Sequence, residues 1–199
     1  YEVPLVLHKE KFDQIVLERL HLPDKKINIE NWEQFVAGVK NPEEKVEIAL
    51  CGKYIEHMDA YKSIMESFVH AGAENKCKVV VRPISAEALE TESVEKLLDG
   101  VSGILVPGGF GERGIEGKIK AVQYARENDI PFLGICLGLQ CAVIEFARNV
   151  CGIKNAHSSE FKKNKFSVID LMPDQKNIKD MGATMRLGAY PCSIKEKTV

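Results

Sequence analysis

Three short apolar runs, Val79-Val-Val81, Ile104-Leu-Val106 and Phe132-Leu-Gly-Ile135, lack the apolar–polar alternation of a strand with one wet face. Strands covered on both faces read this way, so the runs predict a sheet with helices packed on each side. Val46 to Cys51, closed by Gly52, reads as a further strand, and helical periodicity fills the intervals. Alternating strands and helices make parallel crossover units. The fold class expected is α/β: a doubly wound, mostly parallel open sheet with helices on both faces.

Within that frame the spacing predicts helices over Asp59 to Ala71 (capped by Gly72), Val94 to Leu98, Ile115 to Asn128 and Leu137 to Val150. The second strand is expected at Lys78 to Arg82. Beyond Cys151 the signal weakens, with strands expected at Phe166 to Leu171 and Thr184 to Leu187 around a polar stretch, Asp174 to Asp180. From Tyr1 to about Lys40 the pattern is helical, and Asn41-Pro42 ends it. Residues 1–42 are therefore expected to be linker helices ahead of a domain at 43–199.

A chain of 199 residues holds one domain with a sizeable core. Hydrophobic residues at 45% exclude global disorder, and a net charge of -2 lacks the basic excess of a nucleic-acid binder. The longest uncharged stretch, Ile130 to Ile144, is shorter than the roughly 20 residues that span a bilayer, so no membrane helix is expected. Six cysteines form no CxxC pair, and five lie in apolar runs, which favours a reduced, cytoplasmic protein. The opening Tyr-Glu-Val-Pro, without Met or a signal segment, reads as the continuation of something longer.

In open α/β sheets ligands bind beyond the carboxyl ends of the strands, and two turns there carry chemistry. The first, Phe132-Leu-Gly134-Ile-Cys136-Leu-Gly138-Leu-Gln140, takes a strand through a sharp G-x-C-x-G turn into a helix, a thiol nucleophile elbow. Side chains at Gly134 or Gly138 would collide with neighbouring structure, and Cys136 at the apex faces a helix N-terminus that favours the thiolate. The N–H of Leu137 is placed to bind an oxyanion. The second turn, Pro107-Gly108-Gly109-Phe110-Gly111-Glu-Arg113-Gly114, is a glycine-rich anion nest. It serves either as an oxyanion hole opposite Cys136 or, through Gly109, Gly111 and Gly114, as a dinucleotide fingerprint. The acidic residue such a fingerprint needs about 20 positions on is missing, because the next strand runs into Cys136.

These two turns together with Ser158-Ser-Glu-Phe161 resemble the class I glutamine amidotransferases, in their CTP synthase branch, whose fold is flavodoxin-like. Gly52-Lys-Tyr54, Asp59-Ala-Tyr-Lys-Ser63, Met181-Gly-Ala-Thr-Met-Arg-Leu-Gly188 and the opening segment extend the likeness over nearly the whole chain. The resemblance implies that Cys136 attacks the side-chain amide of glutamine, and that ammonia passes to a synthase domain of the same polypeptide for ATP-dependent amination of UTP. It implies an oxyanion hole from Gly108, Gly109 and Leu137. Substrate contacts are implied from Gly109, Leu137, Gly138, Leu139, Gln140 and Glu160, the last suited to an ammonium. Phe110, Arg113 and Glu116 resemble part of a lid tied to activation by GTP. Arg113 and Glu116 also read as a plain i, i+3 surface ion pair.

No cofactor or metal is implied for this domain; ATP, Mg, GTP and a homotetramer belong to the full-length enzyme. The family's general base and its orienting acid come as His-x-Glu far downstream of the elbow, and no His-x-Glu follows Cys136 in these residues. His157, three residues before Glu160, offers an alternative triad, and His57 lies after the first strand. Three other readings stand beside glutamine hydrolysis: a catalytically incomplete regulatory or interaction fragment, a dinucleotide module, and an elbow-cysteine enzyme acting on another acyl or carbonyl compound.

Overall fold

The computed structural model describes residues 1–23, 27–162 and 165–170 and Ser193. The expected strand at Thr184 to Leu187, the polar stretch 174–180, the segment Met181 to Gly188 and Cys192 lie outside the described residues.

Three helices lead the chain: α1 (Val3–Lys9), α2 (Phe12–Arg19) and α3 (Glu30–Lys40). The sheet begins with β1 (Glu44–Gly52), followed by a 3-10 turn at Met58–Tyr61, α4 (Lys62–Glu74) and β2 (Cys77–Ser85). Then come α5 (Ala88–Thr91), α6 (Val94–Leu98), β3 (Gly103–Val106), α7 (Ile115–Glu127), β4 (Phe132–Gly134) and α8 (Leu137–Asn149). Two short strands, β5 (His157–Ser158) and β6 (Ser167–Ile169), pair in parallel beyond α8.

The strand order is β2-β1-β3-β4, all parallel. Successive strand residues point to opposite faces, and at β1 and β3 both faces are filled. Ala49, Cys51, Ile104 and Val106 pack with Leu89, Leu98, Ala121 and Ala125 from α5, α6 and α7. Leu50 and Leu105 pack with Tyr61, Ile64 and Phe68 on the α4 side. The run Ile104–Val106 thus has the predicted cause, whereas Val80 of β2 and Leu133 of β4 are exposed, so the two outer strands are not covered on both faces as expected. Ile115, Ile119 and Val122 of α7 meet Leu137, Cys141 and Ile144 of α8 in a third cluster.

Two expectations are corrected. The helix after β1 runs to Glu74, and Gly72 lies inside it: a Cβ there would come within 2.5 Å of the Cys77 carbonyl oxygen, so this glycine admits the start of β2. The second strand extends beyond Arg82 through Pro83 to Ser85, which a proline permits because β2 is an edge strand. The leading helices are docked: the Tyr1 ring packs edge-on against Phe35 at 5.1 Å and His70 at 5.5 Å, and Trp32 Nε1 donates to the Tyr1 carbonyl at 2.9 Å. Among the described residues no helix is long and apolar enough to cross a membrane.

Candidate active site

Because Val106 of β3 pairs with Gly134 of β4, the loops leaving these strands begin side by side. The β4–α8 turn is as tight as its glycines predict. A Cβ on Gly138 would lie 2.0 Å from the Val106 carbonyl oxygen, and one on Gly134 would lie 2.5 Å from the Gly138 carbonyl carbon. Between them Cys136 adopts φ 52° and ψ -106°, a conformation seldom held by a residue with a Cβ. Strain of this kind collects where a fold presents a reactive group, and Cys136 is solvent-exposed.

Gly108 faces this cysteine: a Cβ there would stand 3.4 Å from Cys136 Cβ. The backbone N–H groups of Leu137, Gly108 and Gly109 have no hydrogen-bond partner among the described residues. Unpaired N–H groups in the two loops beside a thiol are the kind of donor an acyl-transfer oxyanion requires. Gln140, one turn into α8, carries a buried Oε1 with no hydrogen-bond partner among the described residues. Leu139 is well exposed and Gly138 is buried under β3.

The far side of the site comes from β5 and the residues after it. Glu160 is half-buried and accepts the Gly111 N–H; burial raises its pKa above the ordinary carboxyl value, against the lowering effect of that single bond. Glu160 N–H in turn donates to Ser158 Oγ at 3.2 Å. Loop 107–114 is further tied by Lys53 Nζ to the Phe110 carbonyl at 3.5 Å and by Arg113 to Glu87 at 2.7 Å.

Arg113 and Glu116 do not pair with each other, so the surface i, i+3 ion pair does not form. Glu116 instead receives Arg148 through two bonds of 2.7 and 3.1 Å. Arg148 Nε also holds the Ala156 carbonyl at 2.8 Å, which fixes the approach to β5. His157 is engaged on both ring nitrogens, with Nδ1 accepting the Ser158 N–H and Nε2 3.6 Å from Glu116. Burial, then the Arg148 charge, lower its pKa. His57 lines a polar cleft of about 420 Å³ with Lys53, Tyr54, Glu87 and Arg113.

Sequence reasoning missed two buried charged side chains, Lys118 under the glycine loop and Glu145, and with them the Arg126–Glu145 and Arg148–Glu116 clamps between α7 and α8. Glu145 is 1% exposed and accepts Arg126 Nε and Nη2 at 2.8 to 3.1 Å. Their helical positions gave a signal of amphipathicity only. Among the described residues no group of three or more His, Cys, Asp or Glu is placed to hold a metal.

Residues 56–199 match the family model "Glutamine amidotransferase class-I". The whole chain aligns with CTP synthases of Caldanaerobacter subterraneus subsp. tengcongensis (55% identity), Methanocaldococcus jannaschii (55%) and Chloroherpeton thalassium (58%). It spans 37%, 38% and 36% of those proteins respectively. The solved structure of the Trypanosoma brucei CTPS glutaminase domain with bound acivicin is similar at a TM-score of 0.58 and 40% identity, over 66% of this chain and 52% of that one. The Gly109, Gly111 and Gly114 spacing serves loop geometry, since Gly111 and Gly114 hold φ +82° and +76°. With the elbow, the facing loop and a matching family model over most of its length, this chain belongs to the class I glutamine amidotransferases.

Proposed function

We propose that the chain is the glutamine-hydrolysing part of a CTP synthase. The observation that carries this reading is Cys136, exposed on a strained turn between free N–H groups of Leu137 on one side and Gly108 and Gly109 on the other. In the proposed reaction the thiolate sulfur bonds to the side-chain amide carbon of glutamine and the carbonyl electron pair moves onto oxygen, where those N–H groups stabilise it. Collapse breaks the C–N bond and ammonia leaves with an added proton. Water then cleaves the glutamyl thioester to glutamate and restores the thiol.

Glu160 and the unpartnered Gln140 Oε1 are both acceptors, suited to the α-ammonium of the substrate. The step that consumes ammonia, amination of UTP with ATP and Mg, belongs in this proposal to a synthase domain beyond these residues, as does assembly into a homotetramer in the cytoplasm. Phe110 and Arg113, on the tethered loop, are the proposed contact through which GTP acts. Homologues named CTP synthase at 55 to 58% identity over the whole chain favour this reading over an unrelated elbow-cysteine enzyme or a dinucleotide module.

Intact mass after treatment with a chloroketone analogue of glutamine tests it. Sulfur displaces chloride, and one adduct is expected, absent in Cys136→Ser and suppressed by excess glutamine. Cys51 and Cys141 do not compete, because burial pushes their thiols up to about 12 and about 11. No adduct on the folded chain, or one that glutamine does not suppress, overturns the reading.

A further inference from the structure

Lys118 is buried on α7 with 2% of its surface exposed, among Ile115, Ile119 and Val122. The other buried charged or polar side chains have partners: Glu145 has Arg126, His157 has Glu116, and Ser158 has the Glu160 N–H. Lys118 has no hydrogen bond or ion pair among the described residues. The stem of Lys118 is packed away with a charge at its end that has no counter-ion among the described residues, and an apolar side chain would fill the stem's space without that charge.

Its position supplies the reason for a charge there. Lys118 Nζ lies 3.9 Å from the point where a Cβ of Gly109 would stand, and Leu137 Cδ2 lies 3.7 Å from the same point. The ammonium and the first residue of α8 therefore flank Gly109, which follows the Gly108 that faces Cys136. Nearby groups leave the charge unmatched. The Cys141 thiol is neutral with its pKa at about 11, Glu87 is held by Arg113, and Lys53 repels. We propose that Lys118 is a positioning charge for the oxyanion loop, unpaired in the resting protein and matched only when negative charge develops beside Gly109 as Cys136 attacks. Burial keeps its pKa below that of an ordinary lysine, as an unpaired interior ammonium requires. A charge that gains its partner only in the transition state accelerates the chemical step without tightening substrate binding.

The inference rests on the reading of Cys136 as the nucleophile toward glutamine. Its test compares the wild-type chain with Lys118→Met and Lys118→Gln, using the chloroketone analogue, iodoacetamide and thermal unfolding. Capture in which sulfur first adds to the ketone carbon places the negative charge on its oxygen before chloride is displaced and the carbonyl re-forms, so in both neutral variants its maximal rate is expected to fall about tenfold at unchanged half-saturating concentration. That is less than the hundredfold or more of a direct donor, because the charge acts across the loop. Alkylation of Cys136 by iodoacetamide, a displacement of iodide at CH2 that forms no oxyanion, is expected to stay within twofold, and Lys118→Met to melt no lower than wild type. Capture within twofold of wild type in both variants, or a loss confined to half-saturation, or parallel losses of capture, alkylation and melting temperature, overturns the proposal. Failure of the wild-type chain to be captured at all removes the reading of Cys136 together with it.

Discussion

Glu160 is half-buried with one N–H, that of Gly111, on its carboxylate, and burial outweighs that bond, so its proton is lost at a higher pH than the ordinary value of 4.5. A carboxyl whose pKa rises on folding contributes stability that is fully present below the unfolded value and is lost as pH increases through the folded one. At neutral pH the ionised form is therefore carried at a cost, and Glu160→Gln is expected to melt higher. The function proposed for it runs the other way, since only the ionised form pairs with an ammonium. Half-saturation by the chloroketone analogue is expected to weaken as pH falls through the raised pKa in the wild-type chain, and to be weak and pH-independent in Glu160→Gln. A titration from pH 4 to 8 reads both. A flat wild-type profile removes Glu160 from the binding of the amino group. Lys118 obeys the same logic with opposite sign, and Cys136, on its positive φ, adds backbone strain to the set.

Helices α7 and α8 each begin directly after one of the two site loops, so the clamp between them fixes the distance from the glycine loop to the elbow. Arg126 is that clamp's exposed half and Glu145 its buried half. Removing the arginine alone strands a carboxylate in the interior, whereas removing both charges leaves a packable space. Arg126→Met is expected to lose roughly 3–5 kcal/mol in denaturant unfolding, and Arg126→Met with Glu145→Met to lose less than the single change. A double variant less stable than the single one would falsify this account. The clamp also shows where sequence reading stops. Strands β1 and β3, helix α6 and the elbow were legible, because apolar runs and local glycine spacing are properties of neighbours in sequence. The site loops were legible for the same reason, with Gly134 and Gly138 packed as their spacing demands. Helix α5, strand β5 and the extension of β2 through Pro83 were not, since short elements and edge position are set by tertiary contacts, whereas β6 lies within the strand expected at Phe166 to Leu171. Lys118, Glu145 and Arg148 look like solvated helix charges until the neighbouring helix is in place.

Seen across the whole molecule, the sheet is unevenly covered. At β1 and β3 both faces are packed, and the β2 edge is blunted by Lys78 and Pro83. At the β4 edge Leu133 is 57% exposed, and beside it Leu139, Val143, Phe146 and Val150 run along α8 at the spacing of a single helical stripe, with Phe146 51% exposed. A contiguous apolar stripe of this kind is rare on a monomeric surface and drives association in solution. These residues are also part of a chain that spans 37% of its CTP synthase relative from Caldanaerobacter. If the stripe faces water in this chain, Phe146→Ser removes apolar surface and no packing. Its stability is then expected to stay within about 0.5 kcal/mol of wild type, while concentration-dependent association, read by sedimentation, decreases. A buried phenylalanine behaves otherwise, losing about 3–5 kcal/mol on truncation. A loss of that size in Phe146→Ser, with sedimentation unchanged, means that other residues of the chain cover this face and that the β4 edge is as enclosed as β1.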